Sequence, residues 1–442
     1  MKKIVYLLLF FMFLFPTKTL AYNPLSVPNN IYGMGIINHS DIGDVKNLVN
    51  FNGGDWGYVK VVITEKERNK EVWQKFLDDC RRDNLIPIIR IASNFDGSNW
   101  EIPKLDEIDN WVSFFDSLNW VTENRYLIIG NEPNHAKEWG GKISPEEYAV
   151  YLKEFSVKLK NSSNDYFVLN AGFDQDAPNG KNTMDQRIFL ERMVKANPDI
   201  FNYVDGWNSH SYPNPAFSGS EKATGRRTIR GYEWELEYLQ FLRVTKDLPI
   251  FITETGWVRN DKNVTLIAEK LKYAFEQVWS KDEKVVAVIP FILNYQQEPF
   301  YQFSWKNKDG SYYPIYETMQ MIQKKKGNPI QRIEGNVILS FLNPLMFAGR
   351  DQKGLFVARN TGQAIWKQSD AHVINEPLDG FGSLLDIKIS NTKFSPIEPF
   401  STGLVVYTLH IQNKGFGQEA RLGFFVKGKK IDDVYSGKII GF

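Results

Sequence analysis

Short runs of β-branched and aliphatic residues recur between residues 31 and 293, and the stretches between them return apolar positions every three or four residues. The runs are Tyr32 to Ile37, Tyr58 to Ile63, Ile86 to Ala92, Tyr126 to Gly130, Tyr166 to Ala171, Tyr203 to Asn208, Ile250 to Thr253 and Val285 to Leu293. The helix-like stretches include Lys66 to Arg82, Leu105 to Leu118, Pro145 to Lys160, Asp185 to Ala196, Thr228 to Leu242 and Thr265 to Ser280. Continuous rather than alternating apolar runs are what parallel strands covered on both faces require. Eight such β–α units, with no complete glycine-rich fingerprint after the first strand, predict an α/β fold of the closed (β/α)8 TIM barrel type rather than an open sheet.

Beyond Lys326 the period drops to two, as in Leu385 to Ile389 and Val405 to Ile411, with Asn-Thr-Gly, Asn-Glu-Pro and Asn-Lys-Gly turns between such segments. That pattern predicts a small antiparallel β-sandwich. At the other end, Lys2 and Lys3 precede an apolar run from Ile4 to Phe15, followed by Pro16 and a small-residue site at Thr19-Leu20-Ala21. This has the make-up of a secretory signal peptide and is short for a membrane span, which takes about 20 apolar residues. The expected division is a signal peptide over 1–21, a barrel over 22–326 and a sandwich over 327–442. The expected location is secreted or extracytoplasmic, with no integral span in the mature chain; an uncleaved N-terminal anchor is the alternative.

Composition narrows the partner. The 53 Lys and Arg nearly balance the 52 Asp and Glu, with no basic stripe, which argues against nucleic acid. The single cysteine, Cys80, excludes an intramolecular disulfide, and its place in the amphipathic stretch Val72 to Arg82 predicts a buried thiol. The 5 histidines form no His-x-His or His-Glu-x-x-His motif, and no serine sits in Gly-x-Ser-x-Gly, so neither a zinc hydrolase nor a serine esterase is indicated and no metal or cofactor is expected.

The chemistry lies at the strand ends. Asn131-Glu132-Pro133 closes the fourth run and Thr253-Glu254-Thr255-Gly256-Trp257 the seventh. A carboxylate at the mouth of a buried strand is costly unless it is satisfied or used, and two of them suggest the paired carboxylates of glycoside hydrolysis. Arg90 ends the third run, His210 and Tyr212 follow the sixth, and Asn294 and Tyr295 follow the eighth.

These two glutamate motifs resemble the fourth-strand and seventh-strand motifs of clan A glycoside hydrolases, with families 5 and 39 most similar, and the resemblance spans roughly Tyr32 to Trp305. It implies that Glu132 is the general acid/base and Glu254 the nucleophile of a retaining enzyme that hydrolyses O-glycosyl bonds of oligo- or polysaccharides, with β the expected configuration. Trp207 to Tyr212 is similar to the clan's sixth-strand segment, which implies that His210 and Tyr212 orient the nucleophile, and Asn131 matches the asparagine that binds the sugar 2-hydroxyl. The clan's second-strand arginine has no match in Tyr58 to Ile63, where Lys60 is the only charge, and Arg90 is the candidate for its role. Trp257, Tyr295 and Trp305 are expected to form a sugar platform, with Asn294 beside it. The segment Val357 to Trp366 is similar to immunoglobulin-like accessory domains with a buried Trp. Two readings share the fold: a catalytically silent polysaccharide-binding protein, and an exported transglycosylase in which a sugar rather than water accepts the glycosyl group.

Overall fold

The computed structural model describes residues 21–260, 262–376 and 385–442. The expected signal sequence, apart from Ala21, lies outside the described residues. Among the described residues, no helix is long and apolar enough to cross a membrane.

Eight parallel strands form the first unit: β1 Gly33–Gly35, β2 Gly57–Thr64, β3 Leu85–Ala92, β4 Arg125–Ile129, β5 Tyr166–Asn170, β6 Trp207–His210, β7 Ile250–Glu254 and β8 Val285–Val288. They pair in the order β1 to β5 and β6 to β8. Parallel bridges join the two sheets into a closed barrel. Tyr32 meets Val288 on one side, where the Val288 N–H donates to the Ile31 carbonyl at 2.8 Å, and Leu169 meets Gly206 on the other. At the second seam side chains complete the ladder: the Asn208 N–H donates to Asn170 Oδ1 at 2.9 Å and the Asn170 amide to the Asn208 carbonyl at 3.1 Å. The ladder of β8 ends at Val288, short of the expected Leu293, because the chain then turns to join the loops; Phe291 N–H reaches the Thr255 carbonyl.

Helices wrap the outside: α1 Ile42–Val49, α2 Lys70–Arg82, α3 Ile108–Asp116, α4 Pro145–Ser162, α5 Gln186–Ala196, α6 Gly231–Phe241, α7 Val264–Tyr273 and α8 Pro314–Met321. The apolar stripe of α2 shows how sequence makes this layer. Trp73, Phe76, Leu77 and Cys80 recur at helical spacing and are buried, Asn69 caps the first turn by accepting from the Val72 N–H, and Arg81 and Arg82 close the last turn, where cations suit the helix dipole. Alternate strand residues point the other way, into the barrel, where Tyr58, Ile86, Ile88, Tyr126, Ile128, Phe167, Leu169 and Phe251 form a separate apolar core. Each such large side chain contributes about 1.5–3 kcal/mol by burial. This packing fills the lower barrel, so chemistry is confined to the C-terminal ends of the strands.

The second unit has two four-stranded sheets around one core. One is ordered β13 (Ile387–Lys393), β14 (Thr402–Ile411), β11 (Asp351–Asn360), β9 (Gly335–Phe341); the other β10 (Leu345–Met346), β16 (Lys429–Gly441), β15 (Gly415–Val426), β12 (Ala371–Glu376). Phe356, Tyr407 and Leu409 from the first meet Leu422, Phe424 and Val426 from the second. Trp366 is fully buried there, as a core residue. The turn that precedes it docks the unit on the barrel. Asn119 donates to the Gly362 carbonyl at 3.2 Å, the buried Gln363 donates to the Thr122 carbonyl at 2.9 Å, and Arg82 grips Glu398 with two hydrogen bonds.

Candidate active site

Period two along β2 carries the inward side of the strand from Tyr58 to Lys60, and along β3 from Ile88 to Arg90, so the layer above the apolar barrel core is cationic. Lys60 is buried, with 5% of its surface exposed, and its Nζ lies 2.7 Å from Oε1 of Glu254 and 3.3 Å from the Thr253 carbonyl oxygen. A carboxylate at the mouth of the barrel therefore finds an ammonium beneath it. Burial alone would raise the Glu254 carboxyl, but the charges of Lys60, His210 and Arg90, together with the Lys60 hydrogen bond, outweigh it and hold the group well below the usual range. The Tyr212 hydroxyl donates to the other oxygen at 3.3 Å. Burial, and then the charge of Glu254, keeps that phenol protonated far above neutrality.

Glu132 stands across the cleft. Its backbone has φ +28°, a left-handed conformation rare outside glycine, and costs on the order of 1–3 kcal/mol. Two backbone hydrogen bonds hold it there, from the Glu132 N–H to the Gly172 carbonyl at 3.0 Å and from the His135 N–H to the Glu132 carbonyl at 2.9 Å. His210 links the two acids. Its Nδ1 lies 2.8 Å from Oε1 of Glu132 and 3.8 Å from Oε2 of Glu254, a position fixed by the β6–β7 register that sets His210 beside Glu254. Ligand-type atoms of Glu132, His210 and Glu254 all lie within 4.8 Å of one another, the one such group among the described residues. These three could offer a cation three donors, yet Lys60 and Arg90 already neutralise the carboxylates from below, and a metal ion would meet their repulsion.

The predicted site residues separate into those brought together and those that are not. Glu132, His210, Tyr212 and Glu254 share the cleft, whereas Asn131 lines a small cavity with Arg90 and Glu138, its Oδ1 buried. The expected arginine role falls to Lys60 instead: Arg90 acts on Glu254 only through its charge, and its Nε is buried without a hydrogen-bond partner. His210 serves Glu132 before Glu254. Trp257 and Trp305 are core, not platform, each 4% exposed within the main hydrophobic cluster, and the Trp257 indole donates to the Gly219 carbonyl at 2.8 Å. The aromatic surface beside Tyr212 comes from residues the sequence pattern did not single out. Phe217 and Phe303 make edge contacts with Tyr212, and Phe291 packs on Phe303 and Phe300. Tyr295 stacks edge-on against Phe300, and Asn294 accepts a hydrogen bond from Gln296. His135 pairs with Asp174 at 2.8 Å on the rim. Sequence gave no signal for Lys60 as a ligand of Glu254, since nothing local distinguishes it from a solitary strand lysine.

No protein-family model matches the chain, and no curated protein matches it in sequence. Solved structures that resemble the fold include glycoside hydrolases. A family 39 glycoside hydrolase from Bacteroides cellulosilyticus is 13% identical over 88% of this chain and 82% of its own, with a TM-score of 0.46. A monomeric beta-xylosidase from Caulobacter crescentus is 13% identical over 87% and 97%, also at 0.46. A glucosidase from Croceicoccus marinus is 9% identical over 86% and 96%, at 0.49. Likeness at this level carries no conclusion about activity, which rests on the carboxylates themselves.

Proposed function

We propose that the chain is a retaining glycoside hydrolase that cleaves O-glycosidic bonds, β in configuration, of an oligo- or polysaccharide by double displacement. The observation that carries this is the short gap between Glu132 and Glu254, one carboxylate oxygen of each lying within 4.8 Å of the other. Retaining enzymes hold their carboxyl groups about 5–5.5 Å apart, whereas inverting ones need roughly 6.5–9.5 Å to admit a water. Glu254, held ionised by Lys60, attacks the anomeric carbon, and the glycosidic C–O bond breaks as Glu132 delivers its proton to the leaving oxygen. Glu132 then takes a proton from water, which attacks the same carbon and releases Glu254. The Phe217, Phe291 and Tyr295 side supplies the aromatic contact.

A silent binding protein gains nothing from an ammonium buried under one of two facing carboxylates, so the enzyme reading is favoured; a transglycosylase would use the same residues and differ in its acceptor. The basic and apolar start of the chain supports export. The test is the NMR signal of the sugar first released from a panel of aryl β-glycosides. Retained configuration is expected, and inverted product would reject double displacement.

A further inference from the structure

The outward face of one sandwich sheet is apolar where a free sheet should be polar. Along β9, β11 and β14 the registers line up two cross-strand rows, Phe341–Leu355–Val406 and Leu339–Val357–Leu404. Both rows point away from the core, because their chain neighbours Phe356, Val405 and Tyr407 are the buried ones. Phe341 is 61% exposed, Leu339 64% and Leu404 54%. An antiparallel sheet with one free face normally turns polar side chains to water, and a contiguous apolar block there marks a surface that binds something. The barrel leaves it open, since the sandwich docks through Gly362, Gln363 and Glu398.

The positions that bound the block are cationic. Lys353, opposite Thr408, lies beyond the first row; Arg359, between Asn336 and Thr402, lies beyond the second; and Lys393 on β13 continues the first row as the partner of Val406. None of the three joins an ion pair among the described residues, and Asp351, on the same face of β11, is held by His410 at 3.0 Å. A second copy laid face to face either keeps the row order or reverses it. Both arrangements set a cationic row against a cationic row, which opposes the contact. A peptide strand needs a free edge, and that of β9 is interrupted by β16: the Val337 N–H donates to Asp432 Oδ2 at 2.9 Å, and the Ser340 hydroxyl to the Val434 carbonyl.

An anionic lipid surface meets both features. Its acyl boundary takes the apolar block, while the long basic side chains at the rim reach the headgroups. The chain also carries this face toward a bilayer. The apolar run Ile4 to Phe15 leads into Tyr22, whose hydroxyl accepts from the Ile330 N–H at 3.2 Å, shortly before β9 begins at Gly335. A retained run would hold the sandwich at the membrane, and a cleaved one would leave this face as the means of attachment.

We propose that this face of the C-terminal sandwich binds the surface of an anionic lipid bilayer, through the two apolar rows and the rim of Lys353, Arg359 and Lys393. It stands on the second unit, apart from the chemistry at the barrel mouth.

The experiment is co-sedimentation of the chain from Tyr22 to Phe442, the product of the expected cleavage, with vesicles of phosphatidylcholine alone or mixed with phosphatidylglycerol. Each Lys or Arg near an anionic surface contributes about fivefold in binding, so the mixed vesicles should be bound roughly a hundredfold more tightly than the neutral ones. High salt should erase most of that difference, because charges at a wet surface are screened. Lys353→Gln combined with Arg359→Gln should lose about 25-fold on the mixed vesicles, by the same factor per cation. Leu339→Ser combined with Leu404→Ser should lose binding to both kinds. Phe416→Ser removes an exposed ring from the other sheet and should bind like the wild type. All these side chains are exposed, so thermal melts of the variants should match the wild type and separate lost binding from unfolding. No binding to the mixed vesicles, equal affinity for neutral and anionic vesicles, or a loss in Phe416→Ser as large as in the leucine variant would overturn the lipid face. A wild-type dimer that the leucine substitutions dissociate would overturn it in favour of a second copy.

Discussion

Lys60, on the second strand, places its ammonium 2.7 Å from the carboxylate of Glu254, on the seventh, across the top of a barrel otherwise packed with apolar side chains. The pair spans 194 positions in the chain. It gives Glu254 the charge state that a nucleophile needs and opposes the burial that would otherwise neutralise it.

Replacing that ammonium is expected to reveal its effect. In Lys60→Met the burial of Glu254 is left less opposed, so its pKa rises, and the acidic limb of kcat/KM should move up by about 1–3 pH units. Activity should fall more at pH 4 than at pH 7. A pH profile whose acidic limb stays in place would show that Lys60 is not what keeps Glu254 ionised.

Stability carries the same signature. The folded pKa of Glu254 lies below its unfolded value, so its contribution is fully present above the unfolded pKa of roughly 4.3 and is lost as pH falls toward the folded one. Denaturation midpoints of the wild type should therefore drop more between pH 5 and pH 3 than those of Lys60→Met. Parallel curves would contradict the linkage.

Tyr212→Phe should act in the same direction and more weakly. The hydroxyl donates at 3.3 Å and carries no charge, so its loss should raise the acidic limb by less than Lys60→Met does, and slow formation of the glycosyl intermediate without unfolding the barrel. An unchanged limb with full activity would reduce Tyr212 to a wall of the cleft.

The two glutamates should separate by leaving group. Glu254→Ala should abolish turnover of every substrate, whereas Glu132→Ala should keep part of the first step for aryl glycosides that leave without a proton. Azide should restore Glu132→Ala with retained configuration and any rescue of Glu254→Ala with inversion. Equal losses on good and poor leaving groups in Glu132→Ala would remove its acid role.

Gly172 matters by what it lacks. A Cβ there would fall 2.1 Å from Cδ2 of the buried His210 ring, while its carbonyl holds the Glu132 N–H. Gly172→Ala should push the imidazole away from Glu132 and lower kcat by about tenfold or more, since misplacement near 1 Å can cost far more than its contact energy. A crystal structure with His210 unmoved and activity intact would refute this.

The eightfold repeat, the drop to period two after Lys326, the buried Cys80 and the pairing of Glu132 with Glu254 were legible in the sequence, because each depends on local periodicity or on a short motif at a strand end. Trp366 was legible as core for the same reason. The partner of Glu254 was not. Lys60 and Arg90 are single charges on adjacent strands, and which one lies under Glu254 depends on barrel closure and on the registers of β2, β3 and β7. The fate of the tryptophans was decided likewise: Trp257 and Trp305 carry the same local signal whether they face a sugar or the core, and only the folding of the late loops buried them and turned Phe217 and Phe291 outward. Sequence determined which chemical groups reach the mouth of the barrel, through alternation along each strand; tertiary structure decided which of them touch, because contact across a closed sheet is set by shear and stagger that no stretch of chain encodes alone.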